Sequence, residues 1–272
     1  MSRIQNILDK AEREGAIRAA APATKVLAPL PSPSAVMTAL KTPVAVPVEE
    51  LEPVSSPRRV ITNARLDRRL MSAAAADSAA AEQYRALRTR MLHADNGSAV
   101  NVVLVTSPGR GEGKTLTAAN LALTMAQEYQ RRICLVDADL RYPQLNFLFG
   151  LPDGPGLSDV LSGDATLDEA LVTIDDEQIT VLPAGRAHGR PAELLGTTSM
   201  RRVLESLRTQ FDRVVVDAPA AAPLADVGIL VPLVDSVMLV VRAGTTTKPA
   251  IHDAIASIDG SKLLGVVLNE VA

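Results

Sequence analysis

The chain has 272 residues, a formal net charge of −3 and 47% hydrophobic residues, but only 2% aromatics and no tryptophan. Aliphatic side chains and alanine must therefore build the core, which suits a parallel α/β sheet covered on both faces. The single cysteine, Cys134, excludes an internal disulfide, the scattered His93, His188 and His252 exclude zinc spacing, and no apolar run approaches the roughly 20 residues of a membrane span.

The N-terminus has no signal-peptide core, so a cytoplasmic protein is expected. Residues 1–20 suit a short amphipathic helix, with Ile4, Ile7, Leu8 and Ala11 on one face. Residues 21–76 are expected to form a disordered linker: eight prolines fall between Ala21 and Pro57 among Ala, Val, Ser and Thr. Arg58, Arg59, Arg65, Arg68 and Arg69 make this linker basic. Up to Met71 there are eleven Lys and Arg against seven Asp and Glu; beyond it, seventeen against twenty-four. An acidic globular part gives no footing for nucleic acid, and none is expected as a partner.

The folded domain is expected over residues 77–272. It opens with a helix from Asp77 to His93, on which Glu82, Arg85 and Arg88 form one charged stripe. Taken alone, that stripe is a solvated face with an intrahelical pair. An apolar strand, Val100–Val105, then leads into Thr106-Ser-Pro-Gly-Arg-Gly-Glu-Gly-Lys-Thr115 and a helix from Lys114 to about Glu128. The glycines Gly109, Gly111 and Gly113 let the backbone N–H groups converge, and the helix N-terminus adds partial positive charge. Lys114 is placed to meet the terminal phosphates of ATP, and Thr115 to ligate Mg²⁺. Arg110, Glu112 and Leu116 complete the expected nucleotide loop. Pro108 stands where the strict pattern has its first glycine.

Further strands follow at Ile133–Val136, Ile179–Leu182, Val214–Val216, Val237–Val241 and Leu264–Leu268. Helices are expected from Pro191 to about Thr209, interrupted in pattern only by Gly196, and near Pro249–Ile258. The resulting fold is α/β, a P-loop NTPase with a mostly parallel sheet and helices on both faces. The first of these strands ends in Asp137-Ala-Asp139-Leu-Arg141 and the third in Asp217-Ala-Pro219. Ligands of open α/β sheets bind at that edge. Each aspartate by itself could cap a helix; beside a phosphate loop, Asp137 and Asp217 are expected to hold Mg²⁺ or its waters.

In order and spacing these motifs resemble the catalytic domain of the bacterial tyrosine kinases, the BY-kinases of capsule and exopolysaccharide assembly, over roughly Asp77 to Ala272. Val136–Arg141 is similar to their second nucleotide motif and Val214–Pro219 to their third. Gly156-Leu-Ser-Asp-Val-Leu161, Pro191-Ala-Glu-Leu-Leu195 and Gly265-Val-Val-Leu-Asn269 also resemble family phrases. The resemblance implies an ATP-dependent tyrosine autokinase with Lys114, Asp137, Asp139, Arg141 and Asp217 as catalytic residues. Asp137 would orient or deprotonate the acceptor, Asp139 would organise the metal shell, and Asn269 would contact adenine. It further implies ring assembly through Glu82, Arg85 and Arg88. A membrane polysaccharide co-polymerase or chain-length determinant would be the partner, holding the protein at the inner face of the membrane.

Met-Ser-Arg-Ile and the Pro-rich tether resemble stand-alone kinases of exosortase-type systems. Two features depart from the family. Ala220 replaces a second proline, and no tyrosine follows Tyr142, so a tyrosine-rich tail has no counterpart. Among Tyr84, Tyr129 and Tyr142, Tyr84 in the charged stripe is the candidate acceptor within the chain; a kinase acting on the tail of its membrane partner explains the missing cluster equally well. The missing tail leaves a nucleotide-switched scaffold without kinase activity as the alternative. A partition-type ATPase fits less well, since Gly109 occupies the place of its signature lysine.

Overall fold

A computed structural model describes residues 59–70, 77–94, 101–127, 131–187, 189–221 and 226–270. The helix expected over 1–20, most of the linker and Tyr129 lie outside the described residues. The first strand, β1 (Arg59–Ile61), is followed by helix α1 (Ala79–Ala94), β2 (Val102–Thr106), α2 (Lys114–Ala126) and β3 (Ile133–Asp137). Three short helices, α3 (Leu145–Phe149), α4 (Leu157–Ser162) and α5 (Leu167–Ala170), precede β4 (Val172–Ile174) and β5 (Ile179–Leu182). The chain closes with α6 (Pro191–Leu195), α7 (Thr198–Gln210), β6 (Arg213–Asp217), α8 (Asp226–Leu230), β7 (Ser236–Arg242), α9 (Lys248–Ala256) and β8 (Leu263–Asn269).

The eight strands form one sheet in the order β1-β4-β5-β3-β6-β2-β7-β8. All pairings are parallel except β4 with β5. The central strands are buried on both faces because their residues alternate between two cores. Val102 and Leu104 of β2, Cys134 and Val136 of β3, and Val214 and Val216 of β6 pack on one side with α7 and α9. Val103 and Val105, Ile133 and Leu135, and Val215 pack on the other with α2 and α3. Cys134 is thus a core residue, as its place in an apolar strand predicts.

Helix α2 is buried almost all round, although its apolar pattern predicts one covered face. The cause is α1, which lies on its outer side: Arg88 Nη1 donates to the Thr124 carbonyl at 2.9 Å, and the Tyr84 hydroxyl shares hydrogen bonds with Thr117 and Asn120. The small residues Ala118, Ala119 and Ala122 allow that sandwich.

Three differences from the sequence-based expectations have local causes. Residues 59–70 fall within the expected linker, yet β1 pairs with β4, Leu70 is fully buried and Asp67 N donates to the Leu148 carbonyl at 2.8 Å. The folded part therefore begins before residue 77; a three-residue strand among arginines carries no periodic signal. The helix expected from Pro191 to Thr209 is two helices, because Thr197 is extended and its hydroxyl turns back to the Leu194 carbonyl at 2.7 Å. Strand β4, which lies between β1 and β5 and pairs antiparallel with β5, is likewise too short for periodicity.

Candidate active site

Parallel pairing of β3, β6 and β2 brings the loop after β2 and the acids after β3 and β6 to one sheet edge, with Asp137 directly in register with Asp217. The loop from Ser107 to Gly113 arrives at α2 through two left-handed glycines, Gly111 (φ 79°) and Gly113 (φ 90°). A Cβ at Gly113 would lie 2.0 Å from Asn269 Nδ2, so side-chain bulk is excluded on steric as well as torsional grounds.

Lys114 is the first residue of α2 and points into the cluster. Its Nζ donates to Asp139 Oδ2 at 2.7 Å and to Thr115 Oγ1 at 3.1 Å, and lies 3.7 Å from Asp217 Oδ1. Burial opposes the ammonium charge, but the Asp217 and Asp139 carboxylates outweigh it and raise the Lys114 pKa. Thr115 Oγ1 donates to Asp217 Oδ2 at 2.7 Å. The other oxygen of Asp217, Oδ1, is buried without a hydrogen-bond partner. Burial pushes Asp217 up to about 6 despite the opposing Lys114 and Thr115. A buried carboxylate oxygen beside a threonine hydroxyl is the donor chemistry of Mg²⁺, which takes one or two protein oxygens and leaves the rest of its shell to water and phosphate. Among the described residues no three His, Cys, Asp or Glu side chains gather into a metal cage.

Asp137 is fully buried and faces the start of α3. Its Oδ2 accepts from the N–H groups of Gln144 and Leu145 at 3.2 and 3.1 Å, and its Oδ1 accepts from Asp139 N at 3.2 Å. Burial and then the Asp217 charge push it up to about 8. A carboxyl held near neutrality can take a proton in the working pH range.

The remaining expected residues are placed around this cluster rather than in it. Arg141 turns away to Asp226 in a two-pronged contact of 2.7 and 3.2 Å. Arg110 is exposed and lies over the Tyr142 ring, 3.5 Å from its centroid. Glu112 folds back toward Thr246 and Arg242, its Oε1 accepting from Gly109 N at 3.0 Å and its Oε2 buried without a hydrogen-bond partner; burial raises its pKa. Asn269 Nδ2 donates to the Glu112 carbonyl at 3.0 Å, tying β8 to the loop. Leu116 is half-buried on α2. Glu82 and Arg85 pair within α1 at 2.6 Å.

Asp226 and Thr246 were not visible as site residues from sequence. Asp226 appears there only as a break in an aliphatic run, and Thr246 has no distinguishing spacing. The one available signal is for Asp226, an acid opening a helix soon after the Asp217 strand.

Known proteins resemble this chain in sequence and in fold. A family model described as an AAA domain matches residues 101–261. The chain is 34% identical over 208 residues to the tyrosine-protein kinase YwqD of Bacillus subtilis (strain 168), covering 75% of this chain and 87% of that one. It is 36% identical over 179 residues to the succinoglycan biosynthesis transport protein ExoP of Rhizobium meliloti (strain 1021), covering 64% of this chain but 23% of that protein. The kinase domain of the Escherichia coli tyrosine kinase ETK superposes with a TM-score of 0.72 at 28% identity, over 75% of this chain and 80% of that one.

Proposed function

The chain belongs to the bacterial tyrosine-kinase family, and from that premise we propose that it is an ATP-dependent protein-tyrosine kinase regulating exopolysaccharide biosynthesis and export. The observation that carries the proposal is the cluster of Lys114, Thr115, Asp139 and Asp217 at the mouth of the glycine loop, with Asp217 Oδ1 buried and unsatisfied. The similarity to ExoP, named for succinoglycan biosynthesis and transport, supports the polysaccharide role.

Phosphoryl transfer needs charge neutralisation and alignment more than covalent help. The loop amides and Lys114 would hold the β- and γ-phosphates, with Lys114 exchanging Asp139 for phosphate oxygens. Mg²⁺ would be held by Thr115 Oγ1 and Asp217, with Asp137 the further acid in reach of its waters, and would supply neutralisation of the phosphate charge. Asp137 would accept the phenolic proton of the acceptor, a role that its raised pKa suits. Arg141, fixed by Asp226, would hold the Asp139 turn in place. Asn269 would border the adenine while bracing the loop through Glu112.

Assembly would use Glu82, Arg85 and Arg88 against a second copy, with a membrane co-polymerase as the partner that keeps the protein at the membrane. Among the described residues no helix is long and apolar enough to cross a membrane. Incubation with γ-labelled ATP–Mg²⁺ and a Glu/Tyr copolymer tests the proposal: labelled phosphotyrosine is expected. ATP hydrolysis without any phosphotyrosine would replace the kinase by a nucleotide-switched scaffold.

A further inference from the structure

We propose that Glu112 is a positioning residue of the glycine loop: on the loop's buried side its carboxylate fixes Gly109, so that the phosphate cradle is formed before nucleotide arrives. The proposal rests on ATP being the ligand of this edge, and it gives the Glu112 side chain no contact with the nucleotide.

Gly109 is held at both of its backbone polar groups by side chains of the same loop. Its N–H donates to Glu112 Oε1 at 3.0 Å, and its carbonyl accepts from Ser107 Oγ at 2.6 Å. An amide already given to a carboxylate is not free for a phosphate, so Gly109 shapes the cradle rather than lining it. Glu112 is only 8% exposed, and its carboxylate lies toward Arg242, which ends β7, and toward Thr246 beyond it. Its own carbonyl accepts from Asn269 Nδ2 at 3.0 Å, at the end of β8. Glu112 therefore joins the first glycine of the loop to the ends of two strands, next to the Gly113-Lys114 pair that opens α2.

This loop needs such a tie. Glycines at 109, 111 and 113 widen its conformational freedom, and ordering it costs entropy. Gly113 caps α2 without the side-chain hydrogen bond that a Ser, Thr or Asp would supply. Glu112 is itself costly to bury: its Oε2 has no hydrogen-bond partner, and burial works against its charge. Such costs concentrate at functional sites. Because burial opposes the charge, what Glu112 contributes is an acceptor at a fixed point, which an amide oxygen can replace.

Without that acceptor, Gly109 has to be ordered when nucleotide binds. Glu112→Ala should therefore bind ATP–Mg²⁺ roughly five- to thirtyfold more weakly, the cost of ordering one residue of backbone. Calorimetric titration of ATP–Mg²⁺ and ADP–Mg²⁺ into the whole chain and its variants tests this. Glu112→Ala should lose the same factor for both nucleotides, since both use the cradle, and Glu112→Gln should restore the parent affinity. In phosphoryl transfer the loss should fall on KM for ATP, not on turnover at saturation. Hydrogen exchange without nucleotide should find the Gly109 amide protected in the parent and in Glu112→Gln but open in Glu112→Ala, with the β3 amides protected in all three. Ser107→Ala, which frees the carbonyl side of the same residue, should also weaken both nucleotides.

Parent affinity in Glu112→Ala, or in Ser107→Ala should the former not fold, would overturn the proposal. So would a Gln variant as weak as the Ala variant, or a loss confined to ATP. A parent chain that binds neither nucleotide would sink the ATP site itself; a parent that binds both, beside an indifferent Glu112→Ala, sinks only this inference.

Discussion

The two ends of the same sheet handle their carboxylates in opposite ways, half-buried at one end and fully buried at the other. At the N-terminal end, Asp235 has both oxygens satisfied: Oδ2 accepts from Asn101 N, Val102 N and Arg208 Nη1 at 2.7 to 2.9 Å, and Oδ1 accepts from Arg208 Nη2 at 2.8 Å. Burial works to raise its pKa, but Arg208 and the two amides together hold it below the usual carboxylate range. At the C-terminal end, Asp137 and Asp217 are pushed up to about 8 and about 6, and Asp217 keeps an oxygen with no hydrogen-bond partner. A fully paired carboxylate braces the fold, whereas an under-paired one costs stability and persists where a ligand completes it. The glycine loop lies at the second end only.

The largest effect that would sharpen this contrast comes from Lys114. Lys114→Ala should lower phosphoryl transfer by roughly 10²- to 10³-fold or more, the scale of removing one preorganised charge donor. The assay is labelled-phosphate transfer in purified protein, and transfer at the parent rate would dismantle the assignment of that edge. Next in size is Asp235→Ala. It strands two backbone N–H groups and Arg208 and should cost about 1–3 kcal/mol of stability, with activity per folded molecule unchanged. Urea unfolding alongside the transfer assay measures both.

A smaller effect is the opposite response of the two ends to pH. For Asp137 and Asp217 the folded pKa lies above the unfolded one, so the folded chain binds more protons from about pH 4 to pH 8. Their destabilisation is absent below that window and grows as pH rises through it. Asp235 has a lowered pKa, so its contribution is present above the ordinary carboxylate value and is lost as pH falls. Without nucleotide, Asp137→Asn should therefore gain more stability over the parent at pH 8 than at pH 5. Equal differences in urea midpoint at both pH values would contradict the shift.

Much of the candidate site's edge is legible in sequence because its parts are contiguous: an apolar strand, three glycines, Lys114 and Thr115, and an aspartate ending each of two aliphatic runs. The N-terminal end is not. Asp235, Arg208, Asn101 and Val102 come from three separated stretches, and nothing local distinguishes Asp235 from a turn residue. The same holds for Asp226 under Arg141 and Thr246 under Glu112, long-range contacts made by exposed-looking polar residues. Strand β1 escapes because three residues cannot show a period. Helix α1 is visible, but its packing on α2 is not, so the charged stripe does not disclose that Arg88 reaches the Thr124 carbonyl.

The most direct measurement is a side-by-side comparison of Asp217→Asn and Asp235→Asn for unfolding free energy without nucleotide and for phosphoryl transfer per folded molecule. Asp217→Asn should be at least as stable as the parent at pH 8 and lose transfer; Asp235→Asn should be less stable and keep it. An Asp217→Asn protein that is destabilised as much as Asp235→Asn while still transferring phosphate at the parent rate would show that Asp217 braces the fold and that the active centre lies elsewhere.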